Sequence, residues 1–413
     1  MAATQRTQVA IIGAGPAGLV LAHRLQQAGI DCVVLERNSR DYVEARLRAG
    51  VLEQGTVDLV RALGMNTRMD AEGLEHHGIY LQHDGDRFYL PMTQLTGRSV
   101  MIYGQTALAR DLIAARIAAE QPLYFAAEVT ALHAVDSDHP SVSYTLDGQT
   151  YQLECDFIAG CDGSHGPSRS AIPDTRQRVF DYVYPHSWLG ILARVKPSTD
   201  ELIYAAHSDG FALHSMRSNE ISRFYIQVAN DTRPDDWSNA QIWDALETRL
   251  GTRSGEWRLE RGEVIDKSVV PMRSFVAERM QYGRLFLAGD SAHVVPPTGA
   301  KGLNLAVSDV RVLGAALADH FNAGDERGLQ DYNARVHWRV WRAHSFSNYM
   351  TTLLHSKPGE NPYEHQLRMS RIDYLSRSRA AAESLAENYV GMEFSDTQRF
   401  ESAPYESAAP SAM

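Results

Sequence analysis

The sequence has few cysteines, no excess of positive charge and no long apolar run. Its 413 residues include three irregularly spaced cysteines, Cys32, Cys155 and Cys161, and the histidine spacing suggests no metal cage. The formal net charge is −11, which disfavours nucleic acid as a partner. No apolar run reaches the roughly 18 residues of a membrane span, and the glycine-broken stretch 9–22 does not fit a secretion signal. We therefore expect a cytoplasmic protein with reduced thiols and without a metal or a membrane anchor.

The first 36 residues carry the pattern of a strand, a helix and a second strand. Val9–Ile12 is a short buried-strand run, 19–28 has helical spacing, and 31–35 is again strand-like. The unit has the length of a dinucleotide-binding βαβ fold, so we predict a Rossmann-like parallel sheet.

Three glycines and one glutamate in this unit each have a physical role in binding a dinucleotide. Gly13 permits the tight turn from strand to helix, Gly15 lets the backbone approach a pyrophosphate, and Gly18 lets helix and strand pack closely. Glu36 ends the second strand, where a carboxylate accepts hydrogen bonds from ribose hydroxyls. The alternative is a glycine turn with a surface glutamate.

Two later motifs follow at 161–166, which reads Cys-Asp-Gly-Ser-His-Gly, and at 289–293, which continues into Pro-Pro-Thr-Gly. Asp290 follows the apolar strand 285–288, where a carboxylate is placed to bind a ribitol hydroxyl. For the 161–166 motif, a turn whose Asp162 caps a helix remains an alternative. In this order and spacing the three motifs predict FAD, held by segments from both ends of the chain.

The middle and the end of the chain have different patterns. Short alternating runs at 202–206, 211–217 and 222–229 predict an antiparallel meander, whereas 304–323 and 330–354 are helical. We therefore expect an α/β fold in which a Rossmann-like FAD-binding domain is interrupted by an antiparallel β-sheet substrate domain, with a helical C-terminal region. The expected divisions are flavin domain 1–180 and 276–345, substrate domain 181–275, helical region 346–400 and a disordered tail 401–413.

With these motifs, the chain resembles the single-component (class A) flavoprotein aromatic hydroxylases from residue 8 to about residue 393. The resemblance implies a homodimer that uses FAD, NADPH and O2 to convert 4-hydroxybenzoate to 3,4-dihydroxybenzoate through a flavin C4a-hydroperoxide. No second strand-linked Gly-x-Gly-x-x-Gly is present, as expected if NADPH binds only transiently.

The resemblance assigns a substrate carboxylate clamp to Ser215 and Arg217, with Tyr225 as a third donor. Strand alternation independently puts Ser215 and Arg217 on one face, and arginine can grip a carboxylate with two donors. The carbonyl of Pro297 and the side chain of Thr298 would face the substrate ring. Without the resemblance, Ser215, Arg217 and Tyr225 would be interpreted as surface strand residues.

The resemblance also implies a proton relay that starts at the substrate phenol. Tyr204 would bind the phenol, Tyr389 would be its partner, and His76 would be the outer histidine, with His77 as an open alternative. Without the resemblance, each tyrosine would be interpreted as a half-buried structural aromatic and the histidine as a surface residue.

Further residues match cofactor contacts of the family. Those implied near the flavin are Arg46, Arg48, Gln105, Lys301 and Asn304. Those implied for the NADPH 2′-phosphate are Arg37 and Tyr42, supported by His165 and Arg169. Asn38 stands where the family has a longer amide, so NADH remains an alternative reductant.

Three other functions remain open from the sequence. They are the same chemistry on another hydroxylated benzoate, a flavin reductase that never hydroxylates, and a non-catalytic flavin-binding sensor. The sensor would have no reason to carry the clamp and the tyrosine relay together.

Overall fold

The structure is a computed structural model that describes residues 4–45 and 50–392. Arg46, Arg48 and the predicted tail 401–413 lie outside the described residues. The strands are β1 (Thr4–Arg6), β2 (Val9–Ile12), β3 (Cys32–Leu35), β4 (Val51–Glu53), β5 (Leu74–His76), β6 (Ile79–His83), β7 (Asp86–Leu90), β8 (Val100–Ile102), β9 (Leu123–Tyr124), β10 (Glu128–His133), β11 (Ser141–Leu146), β12 (Gln149–Glu154), β13 (Phe157–Gly160), β14 (Val179–Arg194), β15 (Leu202–Ala206), β16 (Ala212–Met216), β17 (Ile221–Val228), β18 (Glu263–Ala277), β19 (Gln281–Tyr282), β20 (Leu285–Leu287) and β21 (His293–Val294).

The described residues form helices along the whole length of the chain, and the longest of them follow the second sheet. They are α1 (Pro16–Gln27), α2 (Arg40–Ala45), α3 (Gln54–Ala62), α4 (Thr67–Glu72), α5 (Met92–Thr96), α6 (Gln105–Ala118), α7 (Asn239–Leu250), α8 (Gly302–Ala323), α9 (Arg327–Gln330), α10 (Tyr332–Leu354), α11 (Pro362–Arg377) and α12 (Arg379–Val390). Short 3-10 turns cover Arg169–Ala171, Asp174–Arg176, Pro234–Asp236, Gly289–Ser291 and Pro297–Gly299.

A mostly parallel sheet has the order β19-β20-β13-β2-β3-β9 in the described part of the chain. Its central strands are fully buried apolar runs, as expected for a parallel sheet covered on both faces. Gly160 pairs with Ile12 on one side and with Leu287 on the other. Because β2, β13 and β20 are parallel and in register, the three motifs that follow them emerge at the same edge.

A second sheet has the order β21-β18-β14-β17-β16-β15-β6-β7 among the described residues. It contains the predicted antiparallel meander as β15, β16 and β17, with ends within two residues of the prediction. Strands β6 and β7 come from the segment assigned to the first flavin part, and β6 pairs with β15 in parallel. The predicted boundaries at 180 and 275 lie inside β14 and β18, and the domain division stays a prediction.

The two faces of this second sheet pack against different helices. One face buries Ile203, Phe224 and Ile226 with Trp243 of α7. The other face buries Tyr204 and Tyr225 in one cluster with residues of α10, α11 and α12. The second face is therefore enclosed by the C-terminal helices.

The predicted fold class is confirmed: an α/β chain whose parallel sheet is interrupted by a largely antiparallel one and followed by a helical region. The predicted helix 304–323 is α8. The predicted helix 330–354 is α10, which begins two residues later, after the short α9.

Candidate active site

The Gly13 to Gly18 turn has the close contacts that its glycines were predicted to allow. Gly13 has a φ of 103°, and a Cβ on it would collide with the carbonyl of Cys161 in the second motif. A Cβ on Gly18 would collide with the carbonyl of Gly13, whereas Gly15 has no heavy atom within 4 Å of that position. The turn is thus crowded on its protein side and open above Gly15, where helix α1 begins without a side-chain cap. The N–H groups of the first turn of a helix have no partner within that helix, so this open helix start fits a pyrophosphate.

Glu36 is buried at the end of β3 and is held in place by its neighbours. Its Oε2 accepts a hydrogen bond from the Ala14 N–H at 2.9 Å, which joins it to the glycine turn. Its Oε1 accepts from the Asn38 N–H at 2.9 Å and from Asn38 Nδ2 at 2.7 Å. The Asn38 amide therefore binds Glu36, so the side chain that is shorter than the family's at this position has a local structural contact.

The second motif contributes a turn whose acid has a structural partner. Asp162 Oδ2 accepts from the Ser168 N–H at 2.8 Å, just before the turn Arg169–Ala171. Asp162 therefore stabilises the loop that leads into this three-residue 3-10 turn, whose N-cap position is Ser168. Arg169 donates to the carbonyls of Ser291 at 3.0 Å and Ser164 at 2.8 Å, which links the second motif to the third.

The third motif lies on a turn that is supported by a buried ion pair. Asp290 sits in the turn Gly289–Ser291 at the end of β20. Asp309 of α8 accepts from the Gly289 N–H at 2.9 Å, and the same oxygen is 2.6 Å from His293 Nε2. Burial opposes the imidazolium, but the Asp309 carboxylate outweighs it and raises the pKa of His293. The pair holds the backbone around Asp290 at the sheet edge.

The start of α8 is tied to the first part of the chain by polar contacts. Lys301 Nζ donates to Glu53 Oε1 at 2.6 Å and to the Tyr389 carbonyl at 2.9 Å. Asn304 Oδ1 accepts from the Glu53 N–H at 2.8 Å, and Arg339 donates to Glu53 Oε2 at 2.9 Å. Burial lowers the pKa of Lys301, and Glu53 opposes that effect. Two predicted flavin residues are thus brought together around a carboxylate that the sequence did not single out.

The remaining predicted cofactor residues lie at or near the surface. Gln105 is the first residue of α6 and is half-buried. Arg37, Tyr42 and His165 are exposed, with Tyr42 51% accessible. The guanidinium of Arg169 lies over the Phe275 ring at 4.6 Å, so it is already packed.

The residues predicted to form a carboxylate clamp lie close together on the second sheet. Tyr204 pairs across strands with Leu213, and Leu213 with Tyr225, so Tyr204 and Tyr225 share a face. Ser215 is two residues beyond Leu213 and shares it too. Arg217 Nη1 lies 3.4 Å from Ser215 Oγ and donates to the Met216 carbonyl at 2.8 Å.

Ser215 and Tyr225 are buried, and a second cation, Arg223, lies near Arg217. Burial lowers the pKa of Arg217, and the Tyr225 phenol opposes that shift. A desolvated guanidinium flanked by a hydroxyl and a phenol is an arrangement that binds a carboxylate strongly.

Two of the three predicted relay residues, Tyr204 and Tyr389, are in contact with each other. Tyr204 Oη lies 2.7 Å from Tyr389 Oη, and burial raises the pKa of both phenols. His76 is buried at the end of β5, and its Nδ1 lies 2.9 Å from Glu201 Oε2. His77 is exposed and its Nδ1 lies 3.1 Å from Thr93 Oγ1, so of the two histidines only His76 turns inward.

Pro297 and Thr298 form the turn before α8. Thr298 is fully buried and its Oγ1 accepts from Thr351 Oγ1 of α10 at 2.9 Å. This contact joins the turn to the helix that covers the sheet, so the predicted substrate loop is braced by α10.

Several charged residues that were not predicted from the sequence also lie among these groups. Glu53 binds Lys301 and also accepts from Arg339. Glu201 contacts His76. The guanidinium of Arg223 lies 5.3 Å from the centre of the Tyr225 ring, beside the predicted clamp. A signal was present for two of them. Glu53 ends an apolar strand, and Arg223 occupies an inward position of an alternating one.

Neither a spanning helix nor a metal cluster is found in the ranges 4–45 and 50–392. No helix there is long and apolar enough to cross a membrane. No group of three or more His, Cys, Asp or Glu side chains there is arranged to hold a metal ion.

Comparison with known proteins places these features in a family. Residues 6–347 match the family model described as FAD binding domain. The chain is 45% identical over 392 residues to p-hydroxybenzoate hydroxylase of Acinetobacter baylyi, which covers 95% of this chain and 96% of that protein. It is 26% identical over 345 residues to rifampicin monooxygenase of Streptomyces venezuelae, covering 80% of this chain and 68% of the other. The structure of p-nitrophenol 4-monooxygenase from Pseudomonas putida superposes with a TM-score of 0.81 at 17% identity, over 94% of this chain and all of that one.

Proposed function

The chain belongs to the FAD-binding-domain family of flavoprotein monooxygenases, and from that premise we propose that it hydroxylates 4-hydroxybenzoate to 3,4-dihydroxybenzoate. The reaction consumes NADPH, a proton and O2 and releases NADP⁺ and water. One observation supports this substrate above others. The candidate carboxylate clamp, Ser215, Arg217 and Tyr225, and the candidate phenol relay, Tyr204, lie on the same buried face of one sheet. A ligand that contacts both the clamp and Tyr204 would carry a carboxylate and a phenol hydroxyl on one small ring.

FAD, when bound, supplies the oxygen chemistry, with NADPH as the source of electrons. Its pyrophosphate would lie over the open side of Gly15, its ribose hydroxyls would meet Glu36, and Asp290 would meet the ribityl chain. Lys301 and Asn304 would lie near its ring system. The crowding at Gly13, the opening at Gly15 and the uncapped start of α1 fit that cofactor.

The protein's own part in the reaction is to bind, orient and deprotonate the substrate. Arg217 and Ser215 would hold the carboxylate, so that the ring is fixed in one orientation. Tyr204 would take the proton of the substrate phenol while passing its own proton to Tyr389, which leaves the substrate as the phenolate, the better carbon nucleophile. Enclosure of this face by α10 and α12 would keep water away from the reacting atoms.

Product analysis tests the proposal and its rivals together. The FAD-loaded enzyme is incubated with NADPH, O2 and each of a panel of hydroxylated benzoates, and catechol product is compared with NADPH oxidised. We expect 3,4-dihydroxybenzoate close to one per NADPH with 4-hydroxybenzoate. Better coupling on another benzoate would transfer the proposal to that substrate. NADPH oxidation without any catechol would indicate a reductase, and no NADPH oxidation would indicate a binding protein.

We further propose that two copies associate through the C-terminal helices. Tyr349 of α10 and Tyr374 of α11 line the same surface groove and are 40% and 61% accessible. Such a surface on a folded chain commonly marks an interface. Light scattering should give twice the monomer mass, and Tyr374→Glu should lower it, whereas a monomeric wild type would refute the proposal.

A further inference from the structure

Glu201 connects the candidate relay histidine to the protein surface. It immediately precedes β15 and lies three residues before Tyr204 in the chain. Its side chain is only 14% accessible, and its Oε2 lies 2.9 Å from His76 Nδ1. A carboxylate this buried needs compensating partners, and the site supplies them.

The other oxygen of Glu201 is fixed by three donors. Oε1 accepts from the backbone N–H groups of His77 at 3.1 Å and Gly78 at 3.2 Å, and from the Tyr89 hydroxyl at 3.2 Å. Because Oε1 is occupied, Oε2 is the oxygen left to face His76. Tyr89 is 39% accessible, so this cluster reaches solvent.

The contact between Glu201 and His76 is close but not aligned as a hydrogen bond, and neither ring nitrogen of His76 has another hydrogen-bond partner among the described residues. The carboxylate therefore acts on the ring mainly through charge. It favours a proton on Nδ1 and leaves Nε2 as the nitrogen that can accept one. When Nε2 takes a proton, the resulting imidazolium gains an opposite charge at 2.9 Å.

Titratable groups from several elements surround this point. Tyr389 of α12 is within electrostatic reach of Glu201: burial, Tyr204 and then Glu201 raise the pKa of Tyr389. His214 of β16 is close enough for His76 to oppose its protonation, although burial is the main reason that its pKa is about 3. His214 is thus neutral at working pH, and Glu201 is the charge that His76 meets.

We propose that Glu201 is a positioning residue that makes His76 the proton acceptor at the outer end of the relay. The proposal rests on the proposed function. The substrate phenol gives its proton to Tyr204 as Tyr204 gives its own to Tyr389, and Tyr389 passes one to His76 Nε2, directly or through water. The phenol becomes phenolate, His76 becomes imidazolium, no electrons move, and the proton leaves to solvent on the side of Glu201 and Tyr89.

Glu201→Gln removes the charge and keeps an oxygen for the donors of His77 and Gly78. The FAD-loaded enzyme is mixed with 4-hydroxybenzoate without NADPH, so that no turnover occurs. The ionisation of the bound phenol is followed by its ultraviolet difference spectrum against pH, and proton release by an indicator dye. We expect the apparent pKa of the bound phenol to rise by about one, equivalent to a tenfold loss of phenolate at neutral pH, and proton release to slow.

Glu75→Gln is the matched control. It removes the same charge one residue from His76, but Glu75 is exposed and accepts from Ser99 Oγ at 2.6 Å. It should leave the phenol titration unchanged. His76→Gln should reproduce the defect of Glu201→Gln, and the double variant should be no worse than either, because both act at one step.

An unchanged phenol titration and proton-release rate in Glu201→Gln would overturn the inference. So would a loss of thermal stability that leaves the titration unchanged, because Glu201 would then only brace the chain around Gly78. Failure of the proposed function would instead appear in the wild type, as absence of 3,4-dihydroxybenzoate.

Discussion

The hydroxyl of Tyr204 lies 2.7 Å from that of Tyr389, although 185 residues separate them in the chain. Burial raises the pKa of both phenols, so both remain protonated near neutral pH. Two neutral phenols can pass a proton only if one accepts while the other donates. The pair is therefore suited to relay a proton without holding a charge.

Tyr204→Phe should separate oxygen consumption from hydroxylation. The clamp remains, so binding of 4-hydroxybenzoate should stay nearly intact, but the phenol loses its path to Tyr389. We expect hydroxylation to fall roughly 10²-fold, with most of the oxygen leaving as hydrogen peroxide. The ratio of 3,4-dihydroxybenzoate formed to NADPH oxidised measures this. Tyr80→Phe is the control, because Tyr80 pairs with Ile203 on the opposite face, and wild-type coupling in Tyr204→Phe would mean that this tyrosine only packs.

Arg217→Ala should weaken substrate binding without affecting FAD. Loss of a buried charged contact costs on the order of 2–5 kcal/mol, and Arg217→Lys should recover only part because it keeps the charge but loses the fork. Titration of flavin absorbance with 4-hydroxybenzoate gives the Kd. Arg194→Ala, an exposed arginine of the same sheet, should bind as wild type. Equal affinity in Arg217→Ala and wild type would refute the clamp.

Arg37→Ala should change the choice of nicotinamide cofactor. Arg37 is exposed just beyond β3, where a cation can meet the 2′-phosphate of NADPH. We expect kcat/KM for NADPH to fall about tenfold while that for NADH changes little, since one phosphate contact is lost. Equal losses with both cofactors, or a wild type that prefers NADH, would contradict the assignment.

The His293–Asp309 pair should make stability depend on pH. The folded-state pKa of His293 lies above its unfolded value of 6.5 because the Asp309 carboxylate outweighs burial. This stabilisation is fully present below pH 6.5 and is lost as pH rises through the higher folded pKa. The Tm of the wild type should therefore fall by a few degrees between about pH 6 and pH 9 relative to Asp309→Asn. A parallel pH profile in Asp309→Asn would show that the pair has no such effect.

Local patterns in the sequence were enough for the flavin part of the fold. Gly13, Gly18 and Glu36 act within one βαβ unit, and their constraints come from backbone sterics and strand ends that follow directly from residue order. The meander and α8 were likewise predicted within two residues, because alternation and helical periodicity are local signals. The roles of Ser215, Arg217 and Tyr389 came from a family resemblance, and composition alone would have called them ordinary strand and helix residues.

Only the tertiary structure decided which distant groups meet. Strands β6 and β7 join the substrate sheet although they precede it by about a hundred residues, since strand pairing depends on packing partners that no local pattern encodes. Glu53 of β4 meets Lys301 at the start of α8, and Glu201 before β15 meets His76 of β5, because folding brings these separate segments together and buries both pairs. The sequence does not show whether a glutamate is buried. Burial is what makes Glu53 and Glu201 bind a lysine and a histidine instead of water.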